Sequence, residues 1–405
     1  MAERAPDNEL YEHADPLAAL NRSMPLDQKL AAIHEALYAQ IGFVDRISVA
    51  AYDPATDLLK TFLASSPEGN PLVRYEARLA DSPSLVEILR SGQPRVVNDL
   101  ELFRQGRRIH TMIIAEEGYR WSYTIPMILD GAFWGFIFFN SHTPDALDEP
   151  ALRTLDVHAH LISAIVTAEM LAVRILAAAV KTAHDMVHFR DPETGVHIDR
   201  MARYARLIAQ HLAATGAAAL DDAAIERIFA FAPLHDIGKL ALPDRILLKP
   251  ARLSKEEREE MKQHTVHGLE MIEAIVHNFG LEHLGGLDML RHIAESHHET
   301  MDGNGYPHGL RNGEIPLEAR IVAVADVFDA LTSPRAYKPS WTNAEAFAWL
   351  RRLSRSKFDE DCVDALLFNA KKVKEIQAQF QDPGTNPPDG NAPQPGPVRS
   401  GNPSE

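Results

Sequence analysis

The sequence predicts a multidomain chain with an α+β N-terminal domain, a long connector helix and an all-helical C-terminal domain. Strand-like runs joined by short turns occupy roughly the first third of the chain, up to about Thr143. Residues 147–188 then have the apolar periodicity of a helix. Helical patterns continue to about residue 380, and histidines become frequent there. The 405 residues suffice for about two or three domains of ordinary size.

The N-terminal domain is predicted to extend from residue 26 to residue 146. Residues 1–25 are polar and contain proline, which predicts a flexible arm ahead of this domain. From Asp27 onward, apolar residues recur three to four apart, and this pattern predicts a helix that Gly42 ends. The stretch RISVAAYDPATDLLKTFLA then predicts two strands that are joined by a turn at its Asp-Pro dipeptide.

A second short helix and three more strands complete this domain. In DSPSLVEILRSG, either Ser82 or Ser84 can cap a helix, and Gly92 suits its exit. Pro83 suits the first helical turn. The stretches PRVVNDL, WSYTIPMIL and AFWGFIFFN predict strands, and the Asp-Gly dipeptide between the last two is a strong hairpin signal. This order of elements resembles a GAF domain, and a PAS-like or other α+β module is the alternative.

The resemblance to a GAF domain implies that the N-terminal domain regulates the rest of the chain, with dimerisation alone as the alternative. An unknown small-molecule ligand is compatible with this role. No residue identifies that ligand, because the domain has no cysteine for a bilin or a thiol ligand and its histidines at positions 34, 110 and 142 are scattered.

The connector helix is predicted at residues 147–180. One of its faces is apolar and is interrupted by Glu169, and such a face can pair with the same helix of a second subunit in a homodimer. The residues of this face are Ile162, Val166, Val173, Leu176 and Val180. The apolar run is about as long as a membrane span, but Glu169 and Arg174 inside it each cost roughly 2.5–3.5 kcal/mol near the bilayer centre. We therefore predict burial against a partner helix and no membrane span.

Composition restricts the possible partners. The formal charge of −16 argues against a nucleic-acid polymer or an anionic membrane as partner, because surfaces that bind them are usually basic. The single cysteine, Cys362, excludes an intramolecular disulfide, and the N-terminal stretch has no apolar signal core, so we expect a cytoplasmic protein. Residues 381–405 are so rich in proline, glycine and asparagine that we predict disorder.

The C-terminal domain, predicted at residues 181–380, contains five short stretches that combine histidines and acids. These stretches are ETGVH, HDIGK, KQHTVHG, HHE and ARIVAVADVFDAL, and their candidate ligands are Glu193, His197, His235, Asp236, His264, His297, His298 and Asp326. Imidazole and carboxylate groups together form the ligand set of iron, manganese or zinc. Adjacent residues such as His235 and Asp236 can address different metals, and a carboxylate can bridge both.

Each of these residues also has an ordinary structural explanation. A histidine near an apolar face, such as His264, is usually a hydrogen-bonded structural residue. His297 and His298 can simply end a helix, where cationic groups are favoured. Asp326 can be a buried hydrogen-bonded acid, with Asp329 as an exposed companion one turn later.

The order of the motifs distinguishes between these explanations. HDIGK, a histidine-rich helix ending in HHE, the loop DGNGYP, and a helix ARIVAVADVFDAL that leads into RAYK follow one another over roughly residues 180–370. In this combination the chain resembles the HD-GYP family, a branch of the HD metal-dependent phosphohydrolases. The resemblance implies hydrolysis of cyclic di-GMP to linear pGpG, to GMP or to both. It also implies two or three divalent metal ions, with iron or manganese expected.

The resemblance further implies a role for each matching residue. One metal would be surrounded by His197, His235, Asp236 and Asp326, and a second by Asp236, His264, His297 and His298. Glu193 occupies the position from which some members bind a third metal. Lys239 would face the scissile phosphate, and the substrate contacts would come from Arg335, Lys338, Gly305 and Tyr306. Two metals about 3.5–4 Å apart can clamp a phosphodiester and activate a water.

Two residues depart from the family pattern. Members commonly have proline where this chain has Ala336, and many have proline where it has Thr265. Neither change removes a ligand, so both bear on substrate fit and rate. The alternatives to a cyclic di-GMP phosphodiesterase are a non-catalytic cyclic-dinucleotide receptor and a phosphodiesterase for another cyclic dinucleotide.

Overall fold

A computed structural model describes most of the chain. The described residues are 14–22, 24–67, 69–73, 75–100, 109–144, 146–188, 195–282, 284–333 and 340–381. Of the predicted arm, residues 14–22 and 24–25 are described; they include a 3₁₀ helix, Ala18–Asn21, and Leu17 and Leu20 pack against the core of the N-terminal domain. Apart from residue 381, the predicted disordered tail lies outside the described residues.

The N-terminal domain is built on one antiparallel sheet. Its described elements are α1 (Leu26–Ile41), β1 (Arg46–Asp53), β2 (Leu58–Ser65), β3 (Glu76–Arg78), α2 (Pro83–Ser91), β4 (Arg95–Val97), α3 (Ile109–Glu116), β5 (Trp121–Leu129) and β6 (Ala132–Ser141). The strand order is β3-β2-β1-β6-β5-β4. The two long hairpins, β1-β2 and β5-β6, thus meet at the centre of the sheet through β1 and β6.

The predicted turns of this domain are confirmed. Asp130 and Gly131, between β5 and β6, have φ angles of 51° and 77°, as a two-residue hairpin turn with both residues at positive φ requires. Gly92 ends α2 with a φ of 66°. Neither β3 nor α3 was predicted from the sequence.

The two faces of the sheet have different surroundings because side chains alternate along each strand. Ile47 and Val49 of β1 belong to a core that also contains Leu30 and Leu37 of α1. The residues between them on β1, such as Ser48, face a cavity on the other side of the sheet. The larger hydrophobic core of this domain therefore lies on one sheet face, and a smaller cluster that includes Leu59 and Leu85 lies on the cavity side.

The connector is one helix, α4 (Glu149–His188), and it is longer than predicted. Ile162 and Val166 are buried in the core of the N-terminal domain, and Leu176 is buried in the core of the C-terminal domain. Ile162, Val166 and Leu176 are thus covered within the chain, in part by helix α1, and pairing of this face with a second subunit remains a prediction. By length and composition alone, Glu149–Leu176 would suffice to cross a membrane, which is weak evidence for a span because core helices pass the same test.

The C-terminal domain is helical. Its described α-helices are α5 (Gly195–Thr215), α6 (Asp222–Phe231), α7 (Asp244–Leu247), α8 (Lys255–Lys262), α9 (His264–Phe279), α10 (Leu287–Ser296), α11 (Leu317–Thr332), α12 (Asn343–Leu353), α13 (Glu360–Phe368) and α14 (Ala370–Gln379). Two short 3₁₀ helices, Ala232–Leu234 and Ile237–Ala241, follow α6. Helices α5 and α11 pack at the centre, where the rings of Tyr204 and Phe328 meet edge to face at 5.2 Å.

Charged side chains join the two domains along α5. Arg203 lies 3.3 Å from Asp53 of β1, and Arg206 pairs with Glu76 of β3. Gln210, one turn further along, donates a hydrogen bond of 2.8 Å to Glu76. These contacts attach the sheet to the helix that begins close to His197.

Replacing Glu76 with glutamine should weaken this attachment. Burial raises the pKa of Glu76, but Arg206 more than offsets this, so the pKa is lowered. We expect the variant to lower the free energy of unfolding by about 1–2 kcal/mol at pH 7, as for a lost charged hydrogen bond. Because the folded-state pKa is the lower one, this difference should shrink as pH falls below about 4, the value for an unfolded glutamate. Urea denaturation of the variant and the unmodified chain at pH 7 and pH 3.5 measures this difference in the free energy of unfolding.

The matched control is Glu87→Gln on α2. Glu87 pairs with Arg90 at 2.8 Å, but both side chains are largely exposed to solvent. An exposed pair contributes little, so this variant should unfold like the unmodified chain. Equal effects of the two substitutions would contradict a structural role for the Glu76 contact.

Candidate metal centre

The five stretches of histidines and acids converge on one place in the C-terminal domain. His197 lies in the first turn of α5, and His235 and Asp236 lie between the two 3₁₀ helices. His264 is the first residue of α9, and His297 and His298 directly follow α10. Asp326 lies on α11. Residues separated by up to 129 positions thus meet, as the metal-centre hypothesis requires.

Asp236, His264, His297 and His298 form the first half of the site. One ligand atom of each of these four residues lies within 4.8 Å of the corresponding atoms of the others. His264 Nε2 lies 3.3 Å from Asp236 Oδ1, and His297 Nε2 lies 3.7 Å from the same oxygen.

His197, His235 and Asp326 form the second half and share Asp236 with the first. His235 Nε2 lies 3.2 Å from Asp236 Oδ2. Asp326 Oδ1 lies 3.8 Å from Nε2 of His197 and 3.8 Å from Nε2 of His235. The two carboxylate oxygens of Asp236 therefore face different histidines, which is the arrangement that a bridging ligand needs.

Hydrogen bonds from Nδ1 to backbone carbonyls orient three of the imidazoles. His235 Nδ1 donates to the carbonyl of Ala232 at 2.9 Å, and His264 Nδ1 donates to the carbonyl of Met261 at 2.7 Å. His297 Nδ1 donates to the carbonyl of Ile293 at 2.9 Å. A proton held on Nδ1 leaves the lone pair of Nε2 free for a metal.

The atoms that face the centre of the site support this assignment. Among the described residues, Nε2 of His235, His264 and His297 and Oδ1 of Asp236 are buried without a hydrogen-bond partner. Buried polar atoms without partners are rare and costly, so each such atom calls for an explanation. A divalent cation explains all four, because imidazole nitrogens and a carboxylate are its ordinary ligands. The residues present therefore fit a metal centre.

Asp329 holds His197 in the way that the carbonyls hold the other histidines. It was expected to be an exposed companion of Asp326, but its exposure is 0%. Its Oδ2 accepts a hydrogen bond of 2.6 Å from Nδ1 of His197, and its Oδ1 accepts one of 2.8 Å from Nε of Arg200. The expectation was wrong because α5 covers this face of α11. The matching spacing of His197–Arg200 and Asp326–Asp329, three residues in each case, is the signal that could have revealed the pairing.

Protonation of the histidines differs between the two halves. Burial lowers the pKa of His264 to about 4, and burial next to His297 and His264 lowers the pKa of His298 well below its usual value. Both rings are therefore neutral at pH 7 and able to bind a metal. Burial also lowers the pKa of His235, but the carboxylate of Asp236 more than offsets this and raises it to about 9. A cation bound by His235 must therefore displace a proton.

Glu299 shapes the loop beside the site, although no role was predicted for it. This buried carboxylate accepts hydrogen bonds from the backbone N–H groups of His308, Gly309 and Leu310, at 2.7, 3.0 and 2.9 Å. The loop thus folds back on the end of α10, and the ring of Tyr306 lies 4.8 Å from the ring of His298, centroid to centroid. Glu299 thus anchors the loop, and its position directly after the two histidines is the sequence feature that could have indicated this role.

The other candidate residues lie at the edge of the site or outside the described residues. Lys239 Nζ lies 2.6 Å from Asp236 Oδ2, and its side chain is partly exposed. Gly305 packs so closely that an added Cβ would lie 2.4 Å from the backbone nitrogen of Thr300. Three candidates fall outside the described residues, namely Glu193, Arg335 and Lys338.

Gly238, in the HDIGK motif, allows α9 to approach the site. A Cβ at this position would lie 1.9 Å from the carbonyl oxygen of His264 and 2.4 Å from the backbone nitrogen of Gly268. We expect Gly238→Ala to lower the free energy of unfolding by about 2–3 kcal/mol, because α9 must move away. Thermal unfolding measures this loss.

Gly313→Ala provides the control for this substitution. An added Cβ at Gly313 meets no atom within 4 Å, and the residue needs no left-handed backbone. This variant should be as stable as the unmodified chain. If Gly238→Ala were as stable as the unmodified chain, the inference that α9 packs closely on the HDIGK turn would be wrong.

Family models match both parts of the chain. The model of the GAF domain matches residues 25–166, and the model of the HD domain matches residues 181–362. The predicted order of an α+β GAF-like domain, a long helix and a helical HD domain is confirmed, and the chain contains a GAF domain followed by an HD domain.

Curated relatives of this chain are phosphodiesterases. The chain is 42% identical over 201 residues to the cyclic di-GMP phosphodiesterase response regulator RpfG of Xanthomonas campestris, a match that covers 50% of each protein. It is 38% identical over 216 residues to a probable cyclic di-GMP phosphodiesterase of Vibrio cholerae, covering 52% of this chain and 48% of that protein. It is also 35% identical over 196 residues to the 3'3'-cGAMP-specific phosphodiesterase 2 of Vibrio cholerae, a match that covers 48% of this chain and 35% of that protein. The chain thus spans about half, or less, of the length of these relatives.

Proposed function

We propose that this chain, with its GAF and HD domains, is an HD-GYP phosphodiesterase that hydrolyses cyclic di-GMP with the help of bound divalent metal ions. The position of Asp236 carries this proposal, because its two oxygens face two separate groups of imidazoles. The sequence identity to curated cyclic di-GMP phosphodiesterases supports the choice of substrate.

The described ligands suit two cations. His264, His297 and His298 would hold one with Asp236, and His197, His235 and Asp326 would hold the other with the same carboxylate. Glu193 would contribute to a third. Imidazoles with carboxylates suit iron, manganese or zinc, and the resemblance to the HD-GYP family favours iron or manganese. When bound, a metal pair supplies electrophilic polarisation of the phosphodiester and an activated water.

The side chains around the ligands would bind and orient the substrate. Lys239, whose Nζ lies 2.6 Å from Asp236 Oδ2, would place its ammonium group where the phosphoryl oxygens gain negative charge during hydrolysis. Arg335 and Lys338 would hold the second phosphate, with the arginine able to form two parallel hydrogen bonds. Tyr306, packed on His298, would form the wall of the site beside the substrate. The product would be pGpG, GMP or both.

A phosphodiesterase for another cyclic dinucleotide is the second candidate. The similarity to a 3'3'-cGAMP-specific phosphodiesterase favours it, because that relative and the cyclic di-GMP enzymes match this chain to similar extents. The two candidates share the chemistry at phosphorus and differ in the bases that the site accepts.

Hydrolysis assays test the proposal directly. Anaerobically purified protein with Mn²⁺ or Fe²⁺ should convert cyclic di-GMP to pGpG or GMP, measured by liquid chromatography. A chelator should reduce the rate to background, and added metal should restore it, because the described site has no other electrophile of comparable charge. Metal content per chain, measured by mass spectrometry, gives the number of ions.

Parallel reactions with 3'3'-cGAMP distinguish the two substrates. A higher kcat/KM for cyclic di-GMP supports the first candidate, and a higher value for 3'3'-cGAMP supports the second. Binding of either dinucleotide to metal-loaded protein without turnover would contradict both and indicate a receptor.

A further inference from the structure

We propose that the GAF domain binds a small organic anion, a carboxylate on a short apolar body, in the cavity above its sheet. This site lies in the domain that carries no metal ligand. The proposal does not depend on the phosphodiesterase activity, and binding can be measured without turnover.

The sheet face that lines the cavity is polar although it is buried. Ser48 of β1 and Ser122 and Thr124 of β5 point into the cavity, and each is less than 10% exposed. None of the three hydroxyls makes a hydrogen bond to another described residue. A buried polar group without a partner is destabilising. Hydroxyl groups that face an enclosed space therefore indicate a polar ligand there.

A buried arginine lies on the same face. Arg46, the first residue of β1, is 1% exposed and borders the cavity. No carboxylate among the described residues forms an ion pair with it, and its hydrogen bonds there go to two amides. Its Nη1 donates to Asn140 Oδ1 at 2.7 Å, and its Nη2 donates to Asn70 Oδ1 at 2.8 Å. These amides accept hydrogen bonds but do not neutralise the charge.

An uncompensated buried charge is expensive, and a bound anion would offset that cost. Burial lowers the pKa of Arg46 to about 10, so the guanidinium stays charged at pH 7. Each terminal nitrogen of a guanidinium carries two N–H groups, so Nη1 and Nη2 each retain capacity beyond these amides. Arg95 of β4 also borders the cavity.

The rest of the cavity fits an apolar body of limited size. Its walls include Leu59, Leu85, Ile114 and Phe138, and its volume is about 100 Å³. A cavity of roughly 150 Å³ holds benzene, so this smaller cavity fits a ligand smaller than benzene, such as a short-chain carboxylate, and a tetrapyrrole is too large. The cavity has polar groups on one side and apolar groups on the other, so it suits a ligand with one charged end and an apolar body.

The cavity also adjoins the contact between the domains. Tyr75 and Ala77 border the cavity, and Glu76 between them pairs with Arg206 of α5. A ligand that displaces β3 would therefore act on the helix that begins beside His197.

Calorimetric titration of the full chain tests the site, with propionate and butyrate as probes. Propionamide and butyramide serve as neutral controls of nearly the same shape. We expect at least one carboxylate to bind at least about 10-fold more tightly than its amide, as for loss of a charge-assisted hydrogen bond. Arg46→Met should abolish this preference, and the matched control Arg90→Met, on the exposed face of α2, should retain it.

Arg46 also joins two parts of the fold, so Arg46→Met could disturb folding as well as binding. A second variant is therefore needed. Ser48→Leu fills the cavity and keeps the arginine, and it should weaken carboxylate binding at least about 10-fold while thermal unfolding stays cooperative. Equal affinity for acid and amide, binding that survives Ser48→Leu, or no binding of either carboxylate would overturn the proposal. Binding of inorganic phosphate alone would also overturn it, because phosphate has no apolar body.

Discussion

Replacing Asp236 with asparagine should abolish hydrolysis and empty the metal centre. The asparagine side chain has nearly the same shape as aspartate but no charge, and Asp236 faces ligands of both halves of the site. One substitution therefore weakens the binding of both cations, and we expect kcat to fall by at least about 10³-fold. The ammonium group of Lys239, 2.6 Å from Asp236 Oδ2, would also lose this ion pair. Measured kcat and metal content per chain give the two readouts.

Two further variants show whether the loss is specific. Asp361→Asn changes an exposed acid in the first turn of α13 and should leave both readouts unchanged. Asp326→Asn removes a carboxylate from one half only, so the cation held by His264, His297 and His298 should persist. Full metal content and a rate within about tenfold of the unmodified protein in Asp236→Asn would refute the bridging role.

The ligands themselves could be predicted from sequence because they lie in short motifs with a fixed order. The sequence did not show what supports them. Glu299 and Asp329 look like ordinary surface acids until the loop and α5 pack against them. Glu299 binds backbone groups 9 to 11 residues further along the chain, and this contact depends on how the loop folds. Asp329 binds a residue 132 positions away, and this contact depends on the packing of α5 on α11.

Local patterns also determined which elements of the GAF domain could be predicted. The β5-β6 hairpin and the exit of α2 were predicted because turns at Gly131 and Gly92 require a residue that tolerates positive φ. The connector shows the converse. Its apolar face was visible in the sequence, but an apolar stripe does not specify its partner, and here residues of the same chain cover part of it.

Replacing Asp329 with asparagine should affect both stability and catalysis. Besides His197, its carboxylate accepts hydrogen bonds from Nε and Nη2 of Arg200, at 2.8 and 3.0 Å, and from Oγ of Ser333 at 2.7 Å. Burial raises the pKa of Asp329, but hydrogen bonds from His197 and Arg200 more than offset this and lower it. Removing one partner of a buried ion pair costs about 3–5 kcal/mol, so we expect the free energy of unfolding to fall by this amount.

Catalysis should fall because His197 loses the group that fixes its ring. Loss of a residue that orients a metal ligand typically costs about 10–100-fold in activity or metal affinity. If Asp329 acts through His197, the double variant His197→Gln/Asp329→Asn should be no less active than His197→Gln alone. Additive losses of activity would instead indicate that Asp329 acts on the site independently of that histidine.

The stability part of the prediction has its own pH dependence and control. Because the folded-state pKa of Asp329 is lowered, its contribution is present above about pH 4, the unfolded value, and is lost as pH falls through the folded-state pKa. Asp359 is another buried aspartate paired with an arginine, Arg320, but it caps α13. Asp359→Asn should therefore lower stability with little change in kcat. An Asp329→Asn protein that loses stability as Asp359→Asn does, yet keeps full activity and metal content, would show that Asp329 only supports the fold.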